Sequence, residues 1–321
     1  MTEAIEIGHE SDVGAVRRRF VAVAQAAGFD EGRANDAATV ASELASNVFK
    51  HAKHGGAIVG RDEGGISIVV WDRGPGMDVN ASIKDGVSTA GTSGNGLGAV
   101  TRLATSWDAY APPGAGSIVA ARFAKATTSP LSVGAVSLPY PGLDVCGDAI
   151  AYECAGSVAT LFVVDGLGHG EGAQEAAAAA VSAFRAGAFD APRTIIERAH
   201  RATRPTRGAA ATCVRLDFSA RTAIVCGVGN VAAFILGDRD RQLVTQHGTL
   251  GQTSPQLREE TYPFPAGAIL VMASDGIKSR WSITDYPGLV SRTPLVIATA
   301  LWRELQRGRD DVTVLVVKER R

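Results

Sequence analysis

Apolar residues recur along this chain with two different periods, and the change of period marks out its elements. Over residues 12–27, Val13, Val16, Phe20 and Val23 fall three or four apart, the spacing of one helix face, and Gly28 is a natural stop. A second helix is expected from about Glu31 to Ala52. The strand-like runs GAIVGRD and GISIVVWD follow, then a glycine-rich stretch, a short helix from about Asn95 and a closing hairpin. Helices that precede neighbouring strands predict an α/β sandwich with helices on one sheet face. Farther along, strand-like runs dominate: VATLFVVD, ATCVRLDF, TAIVCGVG, VAAFILGD, AILVMASD and VTVLVVKE. Helices are expected among them near 171–188, 192–203 and 293–306, which predicts two packed sheets flanked by helices. Proline, glycine and small polar residues gather over 126–143. The chain is therefore expected to divide into a domain at 1–128, a linker at 129–142 and a second domain at 143–321.

Composition narrows the classes. A length of 321 residues suits about two domains, and 45% hydrophobic content can build their cores. A formal net charge of −1 offers no basic face for nucleic acid, so no nucleic-acid role is expected. The N-terminal MTEAIEIGHESD has no basic-then-apolar signal pattern, and no apolar run reaches the roughly 18 residues of a membrane span, so no membrane role is expected. Cys146, Cys154, Cys213 and Cys226 form no CxxC pair and are too few for a disulfide framework. They suit buried thiols in a reducing compartment, the cytoplasm.

The second helix contains Glu43, Asn47 and His51 at i, i+4 and i+8, on one helical face. An Asn oxygen suits a hard cation such as Mg²⁺, and a Glu one turn away can orient or deprotonate a hydroxyl. Taken alone, the trio reads first as a solvated polar stripe. Two further elements change the balance. Asp72-Arg-Gly74-Pro-Gly76 ends a strand, and Thr92-Ser-Gly94-Asn-Gly96-Leu97-Gly98 opens a helix. Glycines let backbone N–H groups approach a phosphate, and a helix N-terminus favours its charge.

In these three elements, roughly residues 10–124, the chain resembles the GHKL (histidine-kinase-like) ATPases, in their small branch of anti-sigma and stress-switch serine kinases. ELASNVFKHA resembles the N-box of that branch, and DRGPGM and TSGNGLGAVTRLA its two glycine boxes. The resemblance implies a GHKL α/β sandwich holding ATP. Asp72 would bind the adenine, Asn47 the Mg²⁺, and Glu43 would be the catalytic base. Gly74, Gly76, Gly94, Gly96, Leu97 and Gly98 would surround the phosphates, under a short lid at about 77–93. No phospho-accepting histidine helix precedes these motifs, so a two-component sensor kinase is not expected.

Four acidic positions sit at strand ends: Gly147-Asp148, Asp165-Gly166, Asp275-Gly276 and Asp310-Asp311. Any one alone reads as a turn. Several converging carboxylates, with no basic partner evident nearby, would repel one another, and hard divalent cations are the usual remedy. A two-ion site of this kind activates water for in-line attack on a phosphoryl group.

CGDA, VVDGLGHG, ASDGI and GRDDVTVLVV resemble the metal-dependent PPM phosphatases, in the SpoIIE/RsbX-type branch, over about 140–318. That resemblance implies a PPM-type αββα sandwich and two Mn²⁺ or Mg²⁺ ions. Asp165 would bridge the ions and Gly166 would offer its carbonyl to the second. Asp275 and Asp310 would complete the shell of the first, and Asp148 would hold a water on the metal. Asp311 would stand behind these ligands. His169 would act as a general acid, against a structural or solvent-facing alternative. No phosphate-gripping arginine is evident at the start of this domain, so the metals alone are expected to hold the substrate phosphate. Together the two resemblances imply a cytoplasmic switch protein that phosphorylates and dephosphorylates Ser/Thr of a STAS-domain partner. The alternative is a phosphatase whose GHKL domain only docks a STAS protein or sigma factor. The oligomeric state is left open.

Overall fold

The structure, a computed structural model, describes residues 2–52, 54–62, 64–79, 96–124, 129–252 and 256–320. It divides into two compact units. One comprises Met1–Thr127 with Ser291–Thr299, the other Thr128–Val290 with Ala300–Arg321.

In the first unit, helices α1 (Glu10–Ala26) and α2 (Glu31–Ala52) form where the apolar period predicts. Asp12 Oδ2 accepts from the N–H groups of Gly8 and His9, and Asp30 Oδ1 accepts from the N–H of Arg33, so a carboxylate fixes each helix start. Gly28, at φ +77°, takes the left-handed turn that ends α1. Strands β1 (Thr2–Ile7), β2 (Gly55–Asp62), β3 (Gly65–Asp72), β4 (Ser106–Tyr110) and β5 (Ile118–Ala124) form one antiparallel sheet in the order β1-β2-β3-β5-β4. Helix α3 (Gly96–Leu103) precedes β4. Alternate residues Ile66, Ile68 and Val70 of β3, with Val119, Ala121 and Phe123 of β5, pack against Val16 and Phe20 of α1 and Leu44 and Val48 of α2. At about 25 cal/mol per Å² of apolar surface removed from water, such burial is what holds the helices to the sheet.

The second unit is built on two sheets. Strands β7 (Asp148–Ala155), β8 (Val158–Gly166), β9 (Ala209–Asp217), β10 (Thr222–Val228) and β13 (Glu260–Pro263) form one, in the order β13-β10-β9-β8-β7. Strands β6 (Leu131–Leu138), β11 (Ala232–Leu236), β12 (Arg241–Gln242), β14 (Ile269–Ala273) and β15 (Val312–Glu319) form the other, in the order β12-β11-β14-β15-β6. Leu161 and Val163 of β8 and Val214 and Leu216 of β9 share a core with Leu270 and Met272 of β14 and Leu315 and Val317 of β15. The opposite side chains of β8 and β9, Phe162, Val164, Ala211 and Cys213, pack against helices α4 (Glu171–Arg185) and α5 (Pro192–Ala202). Both faces of these strands are buried, so their sequences are unbroken apolar runs rather than alternations. The part of α6 (Pro294–Leu305) from Ala300 onward also belongs to this unit, whose fold is the αββα sandwich implied by the sequence.

One expectation fails. Residues 129–142 are not a free linker, because β6 pairs along its whole length with β15, from Leu131↔Glu319 to Val312↔Leu138. Its small residues (LSVGAVSL) suit close pairing as well as they suit a turn. Among the described residues, no helix is long and apolar enough to cross a membrane.

Candidate functional site

The second unit brings its acidic strand ends together. Asp148 opens β7 directly opposite Asp165 of β8, so both side chains emerge on the same sheet face, with Cβ atoms roughly 4.5–5.5 Å apart. Asp275 follows β14, and Asp310 and Asp311 precede its antiparallel neighbour β15. Asp148 is buried, and its Oδ2 accepts a 2.6 Å bond from Ser274 Oγ, which in turn accepts from the N–H of Thr313 at 2.9 Å. Asp275 Oδ2 accepts from Asn230 Nδ2 at 2.7 Å, and Asp310 Oδ1 accepts from the N–H of Asp311 at 3.0 Å. Asp311 Oδ1 accepts from the N–H of Tyr140 at 2.8 Å, while its buried Oδ2 has no hydrogen-bond partner.

These carboxyls act on one another. Burial pushes the pKa of Asp165 well above the carboxylate range, and the charges of Asp148, Asp275, Asp310 and Asp311 push it further. Asp148 rises chiefly through burial, opposed by hydrogen bonds from Ser274 and Thr313. Burial also raises Asp275 and Asp311. Arg307, whose N–H donates to the Gly276 carbonyl at 2.9 Å, lowers Asp275 electrostatically. It is therefore a basic neighbour that the sequence reading did not find. Cys146 lies beside the cluster, its thiol pushed up to about 12 by burial and then by Asp148 and Asp311, so it stays protonated. The N–H of Gly166 donates to the Gly147 carbonyl at 3.1 Å. A Cβ on Gly166 would stand 2.1 Å from the Ala173 carbonyl oxygen, so the position admits only glycine. His169 is exposed and stacks on the Tyr140 ring, with centroids 4.6 Å apart.

In the first unit, α2 and α3 meet over polar side chains. A Cβ on Gly96 would stand 3.5 Å from Asn47 Nδ2 and 3.7 Å from Glu43 Oε2, so the start of α3 lies directly on that pair. Asp72 closes β3, and its Oδ1 accepts from the N–H groups of Gly74 at 2.7 Å and Ser117 at 3.2 Å. Gly76 has φ +81° and would clash, if substituted, with the Pro112 carbonyl. His51 is exposed at the end of α2. Gly94 and most of the expected lid lie outside the described residues. Leu97 departs from expectation: its side chain is 3% exposed and belongs to the hydrophobic core, leaving only its backbone for a ligand.

Comparison with known proteins decides the identity of both units. Residues 156–320, just over half the chain, match the family described as stage II sporulation protein E (SpoIIE). The chain belongs to the SpoIIE family. Residues 9–123 match the family described as histidine kinase-like ATPase domain. Over 139 residues the chain is 29% identical to the phosphoserine phosphatase RsbX of Bacillus subtilis (strain 168), covering 42% of this chain and 69% of RsbX. Over 122 residues it is 32% identical to the serine/threonine-protein kinase RsbT of the same organism, covering 36% of this chain and 92% of RsbT. A structure from work on the bacterial stressosome superposes with TM-score 0.55 at 28% identity, covering 59% of this chain and 99% of that one. RsbX in complex with magnesium superposes with TM-score 0.53 at 22% identity, covering 61% and 98%, and shares the fold. The protein thus joins an RsbT-like ATPase domain to a SpoIIE-type PPM phosphatase domain.

The donor set of the SpoIIE domain fits hard divalent ions. It is all oxygen, it is crowded with like charge, and it leaves the buried Asp311 Oδ2 unmatched. Among the described residues, no group of three or more His, Cys, Asp or Glu side chains forms a ready-made metal cage. An open ring of carboxylates suits Mg²⁺, which keeps several waters and seldom uses all-protein cages. Two supporting residues escaped the sequence reading. Ser274 was legible only as the serine inside VMASD, and Ser117 only as the residue after the PPGAG turn.

Proposed function

We propose that this protein is a cytoplasmic switch enzyme that adds phosphate to, and removes it from, Ser/Thr of a STAS-domain partner in a stressosome-type pathway. The observation that carries the phosphatase half is the convergence of Asp148, Asp165, Asp275 and Asp310 on one site. Asp165, Asp275, Asp310 and the Gly166 carbonyl would hold the Mn²⁺ or Mg²⁺ ions, with Asp165 shared between them, and Asp148 would hold a water beside them. The ions, when bound, neutralise phosphoryl charge and lower the pKa of water towards neutrality. Water oxygen then bonds to phosphorus as the bond from phosphorus to the serine oxygen breaks. His169, at the rim on Tyr140, returns a proton to that oxygen, giving free serine and inorganic phosphate. Asp311 holds the Tyr140 backbone in place behind the site.

The kinase half rests on the contact of Gly96 with Asn47 and Glu43. Asn47 would hold Mg²⁺ and Asp72 would receive the adenine amine, while Glu43 would draw the proton from the attacking hydroxyl. Gly74, Gly76, Gly94, Gly96 and Gly98 let backbone approach the phosphates. The free state of all four cysteines supports a reducing compartment.

The test combines the protein with the STAS proteins of its own cell, ATP and Mn²⁺ or Mg²⁺, and follows phosphate by mass spectrometry. Phosphate should be added in a Glu43-dependent way and removed in a chelator-sensitive way. Asp165→Ala should be the most damaging change to removal; full phosphatase activity in that variant would overturn the two-ion reading.

A further inference from the structure

The sequence offered no arginine to grip a substrate phosphate at the start of the phosphatase domain, but the structure places one from another segment beside the loop that follows Asp165. The β8–β9 ladder pairs Asp165 with Ala210 and Gly166 with Ala209. A further bond, from the N–H of Leu167 to the Gly208 carbonyl at 3.0 Å, carries the pairing one step beyond the strands. Arg207 is the next residue outward, roughly 10 Å of strand from Asp165 at about 3.3 Å per residue.

Its side chain lies across two glycines. A Cβ on Gly168 would stand 3.4 Å from Arg207 Nη1, and one on Gly172 would stand 2.6 Å from Nε and 2.7 Å from Cζ. Gly172 lies in the first turn of α4 and has no positive φ, so its backbone does not call for glycine. A Cβ there would displace the guanidinium, the outer end of an exposed side chain, from its present place. The next residue, Ala173, is a wall of the acidic site: a Cβ on Gly166 would meet its carbonyl oxygen at 2.1 Å, and one on Gly147 its Cβ at 2.6 Å. The guanidinium therefore rests one residue from the wall shared by the segments bearing Asp165 and Asp148. The side chain is exposed and makes no hydrogen bond or ion pair among the described residues. Only the Arg207 backbone carbonyl is engaged, accepting from Gln252 Nε2 at 3.0 Å.

We propose that Arg207 grips the phosphoryl oxygens of the phosphorylated side chain as it enters the Asp165 site. The planar fork of donors matches two oxygens of a phosphate dianion, which an ammonium cannot do. Held on glycine backbone and paired with no carboxylate, the guanidinium is kept for the substrate. This inference rests on the phosphatase reading and deepens it, since the metals then do not hold the phosphate alone.

The test uses the full chain with Mn²⁺ and a phosphoserine peptide. Arg207→Ala should raise KM, and the inhibition constant for inorganic phosphate, by about ten- to a hundredfold, the range of a lost charge-assisted hydrogen bond. Mn²⁺ affinity by calorimetry and the melting temperature should not change. Added guanidinium ion should restore part of the lost activity, and Arg207→Lys should recover less than the parent. Gly172→Ala keeps the charge but fills the bed, so it should raise both constants while preserving the helix. Unchanged KM and phosphate inhibition in Arg207→Ala, beside an active parent, would overturn the proposal. So would a loss explained by weaker Mn²⁺ binding or a lower melting temperature, which would mark Arg207 as structural. A parent inactive on phosphoserine with either ion would overturn the phosphatase reading itself.

Discussion

Ser274 satisfies two buried groups at once, accepting from the N–H of Thr313 and donating to Asp148. Ser274→Ala should cost about 1–3 kcal/mol in a denaturant melt, because a buried donor and a carboxylate both lose their partner. It should also loosen Mn²⁺ binding, since Asp148 is no longer aimed. On the nucleotide side, Gly96→Ala adds a methyl at ordinary contact distance from Asn47 and Glu43. We expect an unchanged melt but ATP–Mg²⁺ binding weakened by at least tenfold in calorimetry, about 1.4 kcal/mol. Asp72→Asn should weaken binding in the same assay, whereas Glu43→Ala should spare binding and slow transfer. The motif residues were legible because several strand-end acids recur along the chain, each of which alone reads as a turn. Ser274 and Ser117 were not, because their partners Asp148 and Asp72 lie 126 and 45 positions away. Arg207 and Arg307 were hidden for the same reason.

At the scale of elements, helices α1, α2, α4 and α5 were legible from period and caps, and the doubly buried strands from their unbroken apolar runs. Strands β6 and β7 were not, since SVGAVS and DAIAYE mix small, polar and apolar residues, and their pairing is set by distant partners. The β7–β8 register matters beyond architecture. A slip of one residue would send Asp148 and Asp165 to opposite faces and dismantle the site. Their alignment also has a measurable cost. Because folding raises the pKa of these carboxyls, the folded metal-free protein binds more protons than the unfolded chain. The resulting stability is present below the ordinary carboxylate value near 3.8 and lost as pH rises through the raised values. Thermal melts in chelator should therefore show the metal-free protein losing stability from about pH 4 to about pH 9, with Mn²⁺ reversing the loss. A flat profile in chelator would contradict the carboxylate convergence.

At the scale of the whole molecule, the proposed function puts two opposed chemistries on one chain. If they share one substrate, Asp275→Ala should raise the steady-state phosphate occupancy of the STAS partner in the presence of ATP, while Glu43→Ala leaves phosphatase turnover intact. Mass spectrometry of the partner checks both, and unchanged occupancy with Asp275→Ala would show that the domains act on different proteins. Position along the chain adds an asymmetry in time. All five strands of the first sheet lie within residues 2–124, but among the described residues β6 pairs only with β15, which is made much later. A ribosome adds roughly 5–20 residues per second, so the roughly 190 residues separating β5 from the end of β15 take roughly 10–40 s to make. During that interval the nascent chain carries a complete nucleotide-site sheet and an acidic site still lacking Asp310 and Asp311. On the proposed function, the sheet of the half that would add phosphate is thus made before that of the half that would remove it, while Ser291–Thr299, which complete the first unit, come only late in translation.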